Sequence, residues 1–242
     1  DIQTIQYIYG TGTANSGNTR YTFDGSAQYK SIWDSSGTDT IDASNFTSGV
    51  QIDIGENEVY SRFSSTFVQF ARNSQIEYII GGSGNDTIYG DIYANNISGG
   101  AGNDTITGGA TGSTTHGADT ISGGAGYDYL IGDNSADSII GGTGNDTIMA
   151  TSGADTLKGE TGTDTLILIA SDANNVNLTS TDQLSGSANA SGFDNVDASA
   201  STVALSLTGD ANANFIIGGY LADTIAGGSG NDTIIGGFHS NY

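Results

Sequence analysis

Between residues 77 and 167 the apolar positions keep a beat that belongs to neither a helix nor a simple alternating strand. A large aliphatic stands at Ile88, Ile97, Ile106, Ile121, Leu130, Ile139, Ile148, Leu157 and Leu166, and the beat returns at Ile216, Ile225 and Ile234. Within each block the step is nine residues, except between Ile106 and Ile121, where six more are inserted. A helix repeats its apolar face every 3.6 residues or so and a half-buried strand every two. One deep aliphatic in nine therefore predicts a six-residue turn, then a three-residue strand whose middle side chain points inward. Strands this short are not stable as isolated hairpins. Stacked in parallel, two repeats per coil, they close around a continuous aliphatic core, so the pattern predicts an all-β, right-handed parallel β-roll.

Two residues before each aliphatic stands Asp or Asn: Asp86, Asn95, Asp104, Asp119, Asp128, Asp137, Asp146, Asp155 and Asp164, then Asn214, Asp223 and Asp232. At eighteen residues per coil, alternate turns fall on one side. The first side reads GGSGND (81–86), GGAGND (99–104), GGAGYD (123–128), GGTGND (141–146) and GETGTD (159–164). The second reads GDIYAN (90–95), a bulged segment ending at Asp119, GDNSAD (132–137) and ATSGAD (150–155), with fewer glycines. The expected organisation is a helix over 1–14, junction β-coils over 15–80, a first repeat block over 81–167, larger β-coils over 168–208, and a second block over 209–242. Within the larger coils, the Ser/Ala-rich 180–192 is expected to be an outlying loop.

Charge sharpens this picture. The chain has 242 residues, 38 of them glycine, with neither cysteine nor proline, and 27 acidic residues against five basic ones give a net charge of −22. Such a surface repels nucleic acid and anionic membranes. No apolar run is long enough to span a bilayer. With no disulfides available, a metal is the usual staple for such a fold.

Coils of a solenoid stack about 4.8 Å apart, which would place Asp86, Asp104, Asp128, Asp146 and Asp164 over one another. At an effective dielectric near 20, each neighbouring pair of charges repels by roughly 3.5 kcal/mol. A bare column would cost on the order of 10 kcal/mol, the whole stability of a typical domain. A divalent cation between turns reverses that sign. Calcium takes six to eight oxygen ligands, carboxylate and carbonyl alike, and glycine lets turn carbonyls aim at the ion. Only His116 and His239 offer nitrogen and there is no thiol, so zinc or copper would find few ligands in these turns. The expected ligand set on the first side is Gly82, Gly84, Asp86, Gly99, Gly100, Ala101, Gly102, Asp104, Gly123, Gly124, Ala125, Gly126, Asp128, Gly141, Gly142, Thr143, Gly144, Asp146, Gly159, Thr161 and Asp164. The second side contributes Asp119, Asp137 and Asp155, and the second block contributes Asp223, Gly228, Gly230 and Asp232. A threonine row at Thr87, Thr105, Thr147 and Thr165 would suit an ice-binding face, but Tyr129 interrupts it.

The nonapeptide GGSGNDTIY resembles that of the RTX family, calcium-binding β-rolls on bacterial proteins exported by the type I system. The stretches DIQTIQYIYG, SGNTRYTF, SIWDSSGTDTIDASNFT and QIEYIIGGSGND resemble the end of the protease domain of a serralysin-type zinc metalloprotease running into its roll. That resemblance implies a calcium site at the junction, formed by backbone oxygens near Asn15, Gly17 and Thr19, the acids Asp34 and Asp39, the Gly37 carbonyl, and Glu77 beside Gln75. By analogy with Glu77, Asp194 and Asp197 are either ligands or, more simply, solvated strand residues. It also implies a secreted, extracellular bacterial protein, with the type I secretion machinery and an upstream catalytic domain as partners. This chain has no HExxH zinc motif, so catalytic Zn2+ would belong to that upstream domain, and the chain reads as a non-catalytic piece of a longer protein. A last repeat begins at Gly236 and Gly237 without a following apolar-ended export signal. The alternative reading is a structural spacer in a surface-layer protein or adhesin.

Overall fold

A computed structural model describes residues 16–26, 28–55, 61–70, 74–109, 116–169, 176–180, 183–184 and 189–237. The helix expected over 1–14, together with Asn15 and His239, lies outside the described residues. All regular elements among the described residues are strands, mostly of three to six residues. They form sheets of twelve, eight and three strands, paired in parallel except where Ser61–Phe63 runs antiparallel to both of its neighbours, Gln51–Asp53 and Thr66–Phe70.

The predicted register holds. On one wall Ile52, Ile88, Ile106, Leu130, Ile148, Leu166, Val196, Ile216 and Ile234 pair in succession. On the other, Tyr21, Ile41, Ile79, Ile97, Ile121, Ile139, Leu157 and Ala190 do the same. From Ile88 to Leu166 these aliphatics are at most 1% exposed. Each contributes about 1.5–3 kcal/mol relative to an exposed position, and together they form the spine of the molecule. On the second wall the strands run longer than expected. Asn96–Ala101, Thr120–Ala125, Ser138–Thr143 and Thr156–Thr161 continue through the residues predicted as turn, so that Gly100 pairs with Gly124 and Ala101 with Ala125.

The junction is not built of coils alone. Ser61–Phe63 and Thr66–Phe70 form an antiparallel hairpin turning at Ser64, whose φ is +56°. Its second strand pairs in parallel with Gln28–Ile32 and widens the first wall. The wider coils need larger filling groups, and Phe23, Phe46 and Phe63 supply them, with ring centroids 4.0 and 5.9 Å apart.

The expected outlying loop over 180–192 is corrected in its described parts. Gln183, Leu184 and Ala190 are buried, and Asn189–Ser191 pairs with Thr156–Lys158. The Gln183 amide donates to the carbonyls of Leu178 and Phe193 and accepts the Phe193 N–H, tying the segment to the roll. One polar side chain here satisfies three backbone groups, which the Ser/Ala-rich composition conceals.

Candidate metal centres

On the first side, each turn aspartate is held by the coil before it. Val50 N–H donates to Asp86 Oδ1, Asp86 N–H to Asp104 Oδ1, Asp104 N–H to Asp128 Oδ1, Asp128 N–H to Asp146 Oδ1, and Asp146 N–H to Asp164 Oδ1, all at 2.7–2.9 Å. This ladder fixes each carboxylate and spends only one of its oxygens. Asp86, at the first rung, spends the other on Gly82 N–H. The Oδ2 atoms of Asp104, Asp128, Asp146 and Asp164 are buried without a hydrogen-bond partner. A buried carboxylate with an unmet oxygen is costly unless a cation meets it. The protonation energetics agree. Burial, assisted by the charges of Asp86 and Asp128, pushes Asp104 up to about 7. Burial likewise pushes Asp128 and Asp164 up to about 6, and raises Asp86 and Asp146.

The glycines shape the space around those oxygens. A Cβ at Gly99, Gly123, Gly141 or Gly159 would run into the Oδ2 of the aspartate five residues on. At Gly100, Gly124 and Gly142 φ lies between +110° and +116°, and a Cβ would meet the carbonyl of Gly82, Gly100 or Gly124 in the coil below. Gly102, Gly126 and Gly144 sit in the same way over Gly84, Gly102 and Gly126. Successive turns thus interleave carbonyls and unmet carboxylate oxygens. That hard, all-oxygen donor set fits calcium. Glu160 takes the second glycine's place at φ +74° and closes the pattern in the last turn of the block.

On the second side, Asn95 N–H donates to Asp119 Oδ1, Asp119 N–H to Asp137 Oδ1, and Asp137 N–H to Asp155 Oδ1. Asp119 Oδ2 is again buried and unmet. Burial, with the charges of Asp137, Asp133 and Asp91 adding to it, pushes Asp119 up to about 8. This side is poorer in glycine but richer in buried acid than the sequence suggests. Asp91 and Asp133 replace the second glycine of their turns, and burial pushes Asp91 up to about 6. Carboxylate oxygens of Asp119, Asp133 and Asp137 lie within 4.8 Å of one another.

The junction residues converge at the start of this second column. Thr19 N–H donates to Asp39 Oδ1 at 2.7 Å, and Asp39 N–H to Glu77 Oε2 at 2.7 Å. Asp34 and Asp39 are fully buried, and one oxygen of each is unmet. Burial, with the Asp34 and Glu77 charges adding, raises Asp39. A Cβ at Gly37, where φ is +136°, would strike the Gly17 carbonyl and come within 3.0 Å of Asp39 Oδ2. Gln75 N–H donates to the Asp34 carbonyl, and the Thr19 hydroxyl to the Gly17 carbonyl. Gly17, Thr19, Asp34, Gly37, Asp39, Gln75 and Glu77 are therefore brought together.

In the second block, Asp223 accepts Leu205 N–H and Gly219 N–H, and Asp232 accepts Asn214 N–H. Gly228 and Gly230 have φ of +95° and +120°. Asp197 is a local turn acid that accepts Ser199 N–H. Asp194 is different: its Oδ2 accepts Asp164 N–H at 2.9 Å, making it the next rung of the first column. It stands two residues before Val196, so the spacing rule finds it once Val is admitted beside Ile and Leu.

A parallel roll whose turns stack buried, unmet carboxylates presents the donor set that calcium favours. Residues 80–111, 114–148, 140–168 and 208–238 match the RTX calcium-binding nonapeptide repeat in four copies. The chain is also similar to Metalloprotease AprA of Pseudomonas entomophila, 35% identical over 111 residues that cover 39% of this chain and 23% of that protein. Serralysin of Photorhabdus laumondii is 35% identical over 116 residues, covering 40% of this chain and 23% of the relative. Serralysin of Proteus mirabilis is 34% identical over the same length and shares. The similarity thus spans about a quarter of the length of these curated relatives, 23% in each. Among the described residues no helix is long and apolar enough to cross a membrane.

Proposed function

We propose that this calcium-binding RTX domain is the calcium-dependent folding and export module of a secreted, serralysin-like bacterial metalloprotease whose zinc-bearing catalytic domain lies upstream. The observation that carries it is the column of fixed carboxylates from Asp104 to Asp164, each with one buried, unmet oxygen. In this reading Asp86, Asp104, Asp128, Asp146, Asp164 and Asp194 hold ions between successive first-side turns, with glycine carbonyls completing each cage. Asp119, Asp137 and Asp155 serve the second side, Asp223 and Asp232 the second block, and Asp34, Asp39 and Glu77 the junction.

Bound calcium supplies positive charge that replaces proton or water at the unmet oxygens. Where calcium is scarce, the carboxylates repel one another and the chain stays extended, the state a secretion channel can pass. Outside, affinities of about 10⁻⁴–10⁻³ M, usual for extracellular modules, suit millimolar calcium. Coupling binding to folding then gives export a direction. Similarity to the AprA and serralysin relatives supports the metalloprotease context.

The test is far-UV circular dichroism during a calcium titration, repeated with magnesium and reversed with chelator. A cooperative, calcium-selective gain of β signal near millimolar is expected. A chain equally folded in chelator would overturn the export switch and favour a preformed spacer of the adhesin or surface-layer kind.

A further inference from the structure

The outer face of the widened wall carries a row of side chains that neither the core nor the calcium columns use. Alternation within Thr66–Phe70 buries Thr66, Val68 and Phe70 and leaves Phe67 facing out. Arg62 likewise stands out between buried Ser61 and Phe63, and Gln51 between buried Val50 and Ile52. The register joins them across the sheet: Tyr29 pairs with Phe67, Phe67 with Arg62, Arg62 with Gln51, and Gln51 with Thr87. Four strand-to-strand steps of about 4.8 Å make this row roughly 19 Å long. Its outer end is aromatic. Tyr29 is 72% exposed and stacks on Phe67, with ring centroids 5.2 Å apart and planes 14° from parallel. Its inner end is polar. A cleft of about 470 Å³ opens between the hairpin tip at Ser64 and Ser65 and the first-side turn at Asn85, and Gln51, Arg62 and Thr87 line it. Arg62 Nε donates to the Ser64 carbonyl at 3.2 Å, which turns the guanidinium toward the tip.

We propose that this row is a binding face for an extended, neutral oligosaccharide of β-1,4-linked pyranose rings. Such a ring is apolar on its C–H faces and hydroxylated on its rim. Its faces stack on an exposed aromatic ring, which Tyr29 and Phe67 present with a polar tip beside a flat apolar body. Its rim needs planar donors and acceptors that meet two neighbouring hydroxyls at once. The Arg62 guanidinium and the Gln51 amide are of that kind, with the hydroxyls of Ser64, Ser65 and Thr87 beside them. A β-1,4 chain is straight, as the row is, whereas an α-1,4 chain coils away from it. Charge selects against other polymers. A protein at −22 repels nucleic acid and acidic polysaccharide, and a neutral chain reaches the face without that penalty. Layout selects against a protein partner, whose interface places an apolar centre inside a polar rim. Here the apolar groups lie at one end of the row and the polar groups at the other, like successive subsites along a linear ligand.

Isothermal titration calorimetry on the full 242-residue chain tests the face, with calcium held at several millimolar to keep the roll folded. Cellohexaose and chitohexaose are the probes, and maltohexaose is the α-linked control. Saturable binding of at least one β-1,4 hexamer is expected, and none of maltohexaose. Tyr29→Ala and Arg62→Ala should each weaken that binding at least about fivefold. Both side chains are exposed, so the calcium midpoint of the β signal should stay within about a factor of two. Tyr220→Ala, which removes an exposed aromatic in the second block, should leave the titration unchanged. No binding of either β-1,4 hexamer, equal binding of maltohexaose, binding indifferent to Tyr29→Ala or to Arg62→Ala, or binding lost in Tyr220→Ala would each overturn the proposal. The readout stays separate from the calcium reading, whose failure would show as a chain folded without calcium.

Discussion

At the scale of single residues, the turn aspartate has two duties on two oxygens. From Asp104 to Asp164, Oδ1 accepts a backbone N–H from the preceding coil, and Oδ2 is buried and unmet, the atom assigned above to a cation. Asp128→Asn separates them, because the amide can keep the acceptor and removes the charge; Asn95 already fills such a slot, its Oδ1 accepting Asp91 N–H within its own turn and its Nδ2 donating to the Ile76 carbonyl. In chelator, where the column repels itself, the change should raise the residual β signal, since it removes a desolvated charge. With saturating calcium it should lower the melting temperature and shift the calcium midpoint upward several-fold. A loss of β structure in both conditions would contradict the division of labour. Glycine is tested separately at Gly124, where φ is +113° and a Cβ would meet the Gly100 carbonyl. Gly124→Ala should cost roughly 1–3 kcal/mol in backbone strain alone, read as a lower urea midpoint at saturating calcium. Protonation gives a third handle. Asp104 and Asp119 titrate at about 7 and about 8 in the calcium-free roll, against about 3.9 in an unfolded chain. The folded state binds their protons more tightly, so their contribution is fully present below pH of about 4 and is lost as pH rises through 7 to 8. In chelator, the β signal should therefore grow as pH is lowered from 8.5 to 5. A flat profile would show that these carboxylates are not desolvated.

At the scale of the element, each repeat is a short strand that is worth little alone and much when stacked. Ile148 is fully buried, whereas Ile234, the corresponding residue in the last strand, is 46% exposed. Truncating Ile148 to alanine should cost about 2–5 kcal/mol by cavity formation, and truncating Ile234 under about 1 kcal/mol. Equal losses in chemical denaturation would mean that the outer strand is covered in solution. The aliphatic ladder and the carboxylate ladder were legible because both follow from one period: a buried Ile or Leu two residues after an acid fixes strand, turn and stacking together. Asp194 came forward only by analogy with Glu77 and not through the period, because its aliphatic is Val196, at the end of a thirty-residue coil rather than an eighteen-residue one. The hairpin at Ser61–Phe70 escaped for another reason. It obeys the two-residue beat of an ordinary strand, and its turn is Ser64–Ser65 with no glycine to mark it. His116 was visible as a residue but not as the neighbour of Asp133, since the two are seventeen residues apart in sequence.

At the scale of the whole molecule, the question is whether the two repeat blocks are one cooperative body. Along the first wall the aliphatic register passes from Leu166 to Val196 to Ile216 without a break. The polar column crosses the same gap: Asp164 N–H reaches Asp194 Oδ2, and the Asn214 side-chain amide donates to the Asp194 carbonyl at 2.7 Å. In a solenoid, stability is a sum of repeat and nearest-neighbour terms, so cooperativity extends as far as the interfaces are unbroken. The described part of 165–208 is therefore expected to transmit order between the blocks rather than separate them. Hydrogen exchange across a calcium titration should show the amides of Ile148 and Ile216 gaining protection at one shared calcium concentration. Asp194→Ala should split that transition, because it removes the acceptor for Asp164 N–H and a charge from the column at the same point. The block before it would keep its midpoint to within about a factor of two, and the block after it would need several-fold more calcium. Two distinct midpoints in the unaltered chain would show that the register across the gap is geometric continuity without energetic coupling.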